Sequence, residues 1–510
     1  MLDLLAERLR THPNHAFLRH GGTTCTFAAF AQRSNAAASW LKAQGVVPGD
    51  RVVLAMANRP NFLVLWFAVL ELGATVVPVS PDLTGESLRY VLEDSAARVL
   101  LTEPANAKAQ ADAAAMAGTE LRIAPAEDGF ECSGSEHLGK FDTGGPHKRF
   151  ATAAILYTSG TTGRSKGVMI SAAAYAAAGR EIVRAIGINE QDRILTFLPL
   201  HHANPQMYAL MSALITGCSL IVLPRFSASG LLRDAALHQA TGFTYVGTVL
   251  SILSKTIDAP QTSSLRWCVG GGAPLGVWRD LEQKLGVRIH ELYGMTETGG
   301  ITTINSTTQA LRGSVGKPRD DFEVVILNDD DEATEVGGIG EIAVRPRRPG
   351  LITSGYCNKP QETLDCLSNL WFHTGDLGCY DDQGFLHFSG RKKDLFRRAG
   401  EMISPVAIET VAARHAQVAE CVAVAIPDDI LGEEIKLVVV ERSPVDLNDL
   451  VNHLRKNLRS VELPRYLDFV DAIPKTSTEK VQRFKLVENG PRVVDIQREF
   501  AEDLTRSKHP

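Results

Sequence analysis

Long apolar runs are missing from this chain. Its most hydrophobic stretch, Phe62–Leu70, stops at Glu71, well short of the ~20 residues that a membrane-spanning helix needs. A buried helix is expected there, and no transmembrane segment. The start, Met1–Arg10, mixes Glu7, Arg8 and Arg10 into an amphipathic pattern without the apolar core of a signal peptide. Paired cysteines are missing as well. The eight cysteines, at 25, 132, 218, 268, 357, 366, 379 and 421, form no CxxC and no Cys/His pair at zinc-finger spacing. This excludes a cysteine zinc site and fits reduced thiols in the cytoplasm. A basic excess is absent too: 53 Lys and Arg against 59 Asp and Glu leave a net charge of −6, so there is no global field for nucleic acid. Finally, GxxxxGK[ST] does not occur, which excludes the common P-loop.

What the chain has is length and apolar mass. At 510 residues, with 44% apolar and 22% charged side chains, it can bury a large core and should divide into two or more domains. The early chain alternates in character: Phe27–Gln44 has a helical period, Arg51–Ala57 reads as a strand and Pro60–Leu72 as a helix. Such alternation predicts an α/β fold with a parallel, helix-covered sheet.

The organising stretch is Tyr157–Val168. The apolar run Ala153–Leu156 feeds into hydroxyls and glycines, so a strand should end there in a tight loop. Gly160 and Gly163 allow close backbone approach, the hydroxyls of Thr158, Ser159, Thr161 and Thr162 can donate, and Lys166 adds positive charge. The loop reads as a phosphate cradle. Taken alone, a Gly/Ser/Thr surface loop is the competing reading. After it, Val168–Ile170 reads as a strand, and Ser171 caps an Ala-rich helix that Gly187 ends.

Five further stretches carry chemistry. Thr196–Asn204 contains the pair His201–His202. Leu265–Leu275 holds Gly270, Gly271 and Gly272, whose bare backbone could carry a flat ring or an acyl chain; a plain tight turn weighs equally. In Glu291–Thr298, Tyr293 offers an aromatic face, Thr296 a hydroxyl and Glu297 a hard oxygen ligand for Mg²⁺. In Trp371–Leu377, Asp376 can accept two ribose hydroxyls or cap a turn. Ser389–Gly400 is a charge run, which as such reads as a solvated loop. Beyond it the pattern becomes a small βαβ-type unit, with strands expected at 418–426, 434–441 and 466–470 and a helix at Leu447–Leu458. Residues after about 487 read as a frayed tail.

The order TSGTTG-x-SKG-V at Thr158–Val168 is identified as the signature of the adenylate-forming superfamily, which includes acyl-CoA synthetases, adenylation domains and firefly-type luciferases. The other stretches follow in that family's order and end in Ile473–Arg483, similar to P-x-T-x-x-GK-[VI]. The resemblance implies a large N-terminal domain of helix-covered mixed and parallel sheets (1–390), a hinge (391–395), a small α+β C-terminal domain (396–490) and a tail (491–510). It implies an AMP-forming acyl-CoA ligase, using ATP, Mg²⁺ and coenzyme A, with a small-molecule carboxylic acid as substrate and a homodimer left open. Thr158, Ser159, Gly160, Thr161, Thr162, Gly163 and Lys166 would cradle phosphates. Gly271, Gly272, Ala273, Glu291, Leu292, Tyr293, Gly294 and Thr296 would line the nucleotide. Asp376 and Arg391 would reach the ribose, and Glu297 and Thr161 would hold Mg²⁺. His202, Asn204, Thr248, Gly270 and Gly271 would form the acyl pocket, Lys393 the hinge pivot, and Ala399 and Gly400 the border of a pantetheine channel. Arg397 and Arg398 would be candidates for the CoA phosphates. Lys480 would be the catalytic lysine, with Thr161, His202 and Glu297 beside it in the chemistry. Glu479 stands where the family usually has glycine.

The alternatives within this resemblance are weighed on residues. An amino-acid-activating domain places an aspartate in the pocket turn, and Leu198–Asn204 has no acid. No carrier-protein domain is expected after residue 510. A stand-alone enzyme loading a carrier protein's phosphopantetheine thiol stays open as the second reading. A non-enzymatic nucleotide sensor would lose Lys480 or Glu297, and both are present. Pro224–Ser229 resembles the crotonobetaine/carnitine-CoA ligase branch.

Overall fold

The computed structural model describes residues 1–510 except 126–147, 159–163, 399–400, 429, 476–480, 489, 491 and 500–510, with backbone alone for Lys148 and Met402. Two compact units emerge, Met1–Val324 with Val344–Phe372, and Val325–Ala343 with His373–Pro510.

In the first unit a nine-stranded sheet has a parallel centre. Arg193–Thr196, Gly242–Val246, Trp267–Gly271 and Arg288–Tyr293 lie side by side in that order. A six-stranded sheet orders Glu120–Ile123, Val99–Thr102, Arg51–Ala55, Thr75–Val79 and Thr152–Thr158 in parallel, and adds Lys166–Ser171 antiparallel at its edge. The strands are short and rich in Val, Ile and Leu because helices cover both faces of such sheets. The expected apolar helix is Pro60–Glu71, and every residue from Pro60 to Val69 is buried. Each large side chain removed from water there contributes ~1.5 to 3 kcal/mol. The Ser171 hydroxyl caps the Ala172–Ile186 helix by accepting from Ala174 N, and Gly187 ends it in the left-handed conformation at φ 82°. Among the described residues no helix is long and apolar enough to cross a membrane.

The second unit centres on a sheet ordered Glu401–Ile403, Phe396–Arg398, Gly432–Glu441, Tyr466–Phe469 and Arg492–Asp495, with Val418–Asp428 also paired to Gly432–Glu441. Gly432–Glu441 runs parallel to Tyr466–Phe469, and the Leu447–Asn457 helix makes the crossover, as the βαβ reading anticipates. Asp446 caps that helix, and Leu450, Val451 and Leu454 face the core. One expectation is corrected here. Arg492–Asp495 is no frayed tail but a strand paired antiparallel along Tyr466–Phe469, anchored by an Arg492–Glu441 ion pair at 3.0 Å. Charge density hid Val494, which packs against the core there.

Candidate active site

The carboxyl ends of three adjacent parallel strands meet in the first unit. Val246 is in register with Gly271, and Gly270 with Glu291, so the segments leaving those strands, from Gly247, Gly272 and Gly294, start side by side. Open α/β sheets bind ligands at such strand ends. Glycine is required by close approach: a Cβ on Gly247 would lie 2.0 Å from the Gly272 carbonyl oxygen, and Gly272 itself has φ +85°.

Glu291 locks this corner. Its Oε1 accepts from Gly272 N at 2.6 Å, and its Oε2 from Ala273 N at 2.9 Å and from the Tyr245 hydroxyl at 2.6 Å. Both oxygens are thus engaged inside the protein, and the side chain is buried. Burial pushes the carboxyl up to about 7 against the pull of these three donors. Tyr245, facing a carboxylate in the core, is held well above the ordinary phenol range by burial first and Glu291 second.

The turn after Thr196 is pinned by a residue far away in sequence. Buried Asn58 donates from Nδ2 to Leu198 O and accepts from Leu200 N, both at 2.8 Å. Gln206 then donates to Leu200 O at 2.6 Å and accepts from the Tyr175 hydroxyl at 2.6 Å. This fixes the backbone that carries His201, His202 and Asn204. Burial, with His202 adjacent, lowers His201 to about 3, so it is neutral at physiological pH. Asn204 Nδ2 donates to Tyr245 O at 2.9 Å, which ties the turn to the strand that leads to Thr248. Asn204 Oδ1 and Thr248 Oγ1 are buried polar atoms without a hydrogen-bond partner among the described residues. The Tyr208 hydroxyl donates to Gly300 O at 2.6 Å and closes the far side.

Thr158 and Lys166 face each other across the hairpin that carries the glycine loop; Ser159, Gly160, Thr161, Thr162 and Gly163 lie outside the described residues. Glu297 is buried on a short 3₁₀ turn, Thr296–Thr298, that follows the Arg288–Tyr293 strand. Its backbone carbonyl accepts from Thr353 N at 2.7 Å. Its carboxylate Oε1 accepts from the Tyr356 hydroxyl at 3.0 Å, and the ring of Tyr356 carries the Lys166 ammonium 4.6 Å from its centroid. The structure therefore brings Lys166 and Glu297 together on Tyr356, with Thr158 opposite Lys166 in the hairpin. Sequence reasoning missed Asn58, Tyr175, Gln206, Tyr245 and Tyr356. Tyr356 follows Gly355 in a loop without periodicity, and no local signal marks it.

Asp376, Arg391, Lys393 and Arg397 belong to the second unit. Asp376 and Arg391 pair across an antiparallel ribbon, with Arg391 Nε 3.4 Å from Asp376 Oδ1. Lys393 sits in the Lys392–Asp394 3₁₀ turn, and Arg397 is exposed. Arg398 is corrected as a phosphate candidate: it is buried, paired with Glu434 at 2.8 Å, and donates to Val461 O and Leu463 O. Lys480, Glu479, Ala399 and Gly400 lie outside the described residues. The stem that bears Lys480 is defined, because Lys475 bridges Val481 and Gln482 N donates to Pro474 O at 2.9 Å. Arg483, next along, pairs with Glu409 at 2.7 Å.

Comparison with known proteins agrees with this geometry. The AMP-binding enzyme family matches residues 5–357, and the AMP-binding enzyme C-terminal domain matches 407–480. A probable CoA ligase of Humulus lupulus, CCL9, is 33% identical over 496 residues, 92% of each chain. The oxalate–CoA ligase of Arabidopsis thaliana is 33% identical over 466 residues, 86% of this chain and 88% of that one. Among solved structures, the o-succinylbenzoate CoA synthetase of Bacillus subtilis in complex with its acyl-adenylate intermediate superposes with a TM-score of 0.83 at 28% identity, over 96% of this chain and 98% of that one. Matched over 5–357 and again over 407–480, the chain belongs to the AMP-binding enzyme family.

Proposed function

We infer that this protein is an AMP-forming acyl-CoA ligase. It activates a carboxylic acid with ATP to an acyl-adenylate, releasing pyrophosphate, and then transfers the acyl group to the thiol of coenzyme A. The observation that carries the reading is the meeting of Lys166 and Glu297 on Tyr356, beside the strand ends described above, in a chain whose relatives are CoA ligases.

The physical problem is that a carboxylate and a phosphate repel. Positive charge and hydrogen-bond donors must stand where the new bond forms and where pyrophosphate leaves. Lys166 supplies charge beside the glycine loop, which with Thr158 would hold the leaving phosphates. Gly270–Ala273 would lie along the nucleotide and the acyl group, Tyr293 against adenine and Thr296 at the α-phosphate. Asp376 and Arg391 would take the ribose. His202, Asn204 and Thr248 would shape the acyl pocket, which Tyr208 and Met207 close beneath Gly300. No lysine or arginine stands in the turn 198–204, and burial keeps His201 neutral there. Glu297 suits Mg²⁺, which takes one or two protein carboxylates and fills its remaining positions with phosphate oxygens and water. Glu297 and Thr161 would hold it, and it would add positive charge at the phosphates.

Lys480 is assigned to the first step alone, between carboxylate and α-phosphate. The segment that bears it turns about Lys393 between the two steps, and Ala399 and Gly400 then border the thiol channel, with Arg397 toward the CoA phosphates. A hinge of this kind serves two reactions with one set of strand ends. The test is a panel of carboxylic acids assayed for ATP-dependent pyrophosphate release, with CoA, with a phosphopantetheinylated carrier protein, and with neither. Acid-dependent release followed by acyl-CoA formation is expected. Release without any thioester, or thioester on the carrier protein alone, overturns the CoA assignment.

A further inference from the structure

Tyr356 lies on a strap that joins two parts of the site. Ser354 N donates to Met169 O at 3.0 Å, Met169 N to Gly355 O at 3.1 Å and Cys357 N to Gly167 O at 2.7 Å, so the strap runs along the strand that begins with Lys166. At its other side Thr353 N reaches the Glu297 carbonyl. Tyr356 N is held in turn by the Thr363 hydroxyl at 2.9 Å, and the side chain is buried. The residue has little freedom to move.

Two groups of opposite charge take different parts of this one side chain. The hydroxyl donates to Glu297 Oε1 at 3.0 Å, and the ring face holds Lys166 Nζ 4.6 Å from its centroid. If such a lysine and carboxylate closed on each other, each would neutralise the other and neither would be presented to phosphate or metal. A phenol set between them supplies each with a separate partner and holds it in place without neutralising its charge, as an ion pair would.

We propose that Tyr356 is a positioning residue that keeps Lys166 and Glu297 apart and aimed, its hydroxyl orienting the carboxylate toward Mg²⁺ and its ring orienting the ammonium toward the leaving phosphates. This rests on the roles given to Lys166 and Glu297 above. The two functions reside on separate atoms and are separable by substitution. Tyr356→Phe removes the hydroxyl and keeps the ring; Tyr356→Leu removes both.

The test is calorimetric binding of ATP to the full chain at a series of Mg²⁺ concentrations without acid substrate, with ATP–pyrophosphate exchange run in parallel and thermal melting to confirm folding. Loss of one hydrogen bond to a charged group should raise the half-saturating Mg²⁺ of Tyr356→Phe about tenfold, with ATP affinity at saturating Mg²⁺ within about twofold of wild type. Tyr356→Leu should share that shift and in addition weaken ATP at saturating Mg²⁺ by about three- to tenfold. If Tyr356→Phe keeps the wild-type Mg²⁺ dependence, or if it weakens ATP as much as Tyr356→Leu at saturating Mg²⁺, the proposal is overturned; should Tyr356→Leu fail to fold, Tyr356→Phe decides alone. Glu297→Gln separates the two levels. Its wild-type behaviour would overturn the Mg²⁺ role of Glu297 itself, whereas an impaired Glu297→Gln with a normal Tyr356→Phe would overturn only the role of Tyr356.

Discussion

Deleting the Glu291 carboxylate should loosen the glycine corner that the nucleotide and acyl group share. In Glu291→Ala the Gly272 and Ala273 amides and the Tyr245 hydroxyl lose their acceptor in a buried place. At ~1 to 3 kcal/mol for each orphaned donor, softened by relaxation, the loss should be roughly 3 to 6 kcal/mol. Glu291→Gln keeps one acceptor oxygen and removes the charge, so its behaviour depends on pH. The native carboxyl is raised from 4.5 to about 7, hence between those values the folded protein holds a proton that the unfolded chain has released. Wild-type stability therefore falls as pH rises through that window, approaching ~3 kcal/mol at 1.36 kcal/mol per pH unit. The difference between wild type and Glu291→Gln should shrink by roughly 2 to 3 kcal/mol from pH 5 to pH 8. All five tryptophans, at 40, 66, 267, 278 and 371, lie in the first unit, so urea unfolding followed by tryptophan fluorescence reports on the unit that holds Glu291. ATP–pyrophosphate exchange should fall at least about tenfold in Glu291→Ala, as a misplaced turn costs orientation. A Glu291→Ala protein within about 1 kcal/mol of wild type, or a Glu291→Gln protein with an unchanged pH slope, would refute the reasoning.

The remaining expectations concern the second unit. Lys480→Ala should lose ATP-dependent activation by orders of magnitude, one preorganised charge contact being worth ~3 to 4 kcal/mol, yet still convert synthetic acyl-adenylate and CoA to thioester; equal loss of both steps sinks the assignment. Lys393→Pro, with φ held near −65°, should retain pyrophosphate formation and slow thioester formation strongly, and unchanged rates for both would move the hinge elsewhere. Glu479→Gly removes the carboxylate next in sequence to Lys480; two like unit charges ~6 Å apart at an effective dielectric of 20 would repel by ~3 kcal/mol. It should raise the adenylation rate or lower the KM for ATP, and a large loss of activity would instead give Glu479 a positive role.

Local rules account for what was legible without coordinates. Helix and strand identity follow from side-chain period and from caps, which act within one turn: Ser171 and Gly187 mark helix ends where the structure has them. The Phe62–Leu70 run had to be buried somewhere, and Pro60–Glu71 is a buried helix. The glycines at 270–272 could be singled out because close backbone approach demands glycine, and a Cβ on Gly270 would lie 2.0 Å from the Tyr245 carbonyl oxygen.

Tertiary structure alone decided which partners those residues meet. Asn58 pins a turn 140 residues further on, and a lone asparagine carries no sign of that. Tyr356 reaches Glu297 59 residues away and takes Lys166 on its ring; no sequence spacing relates the three, because the contact exists only once two sheets and a strap have packed. Arg397 and Arg398 are indistinguishable as neighbours in a charge run, yet alternation along the Phe396–Arg398 strand sends one to solvent and buries the other on Glu434. Chemical capacity is a property of the residue and is written in the sequence, whereas which groups face each other, and at what distance, is set by the packing of segments far apart in the chain.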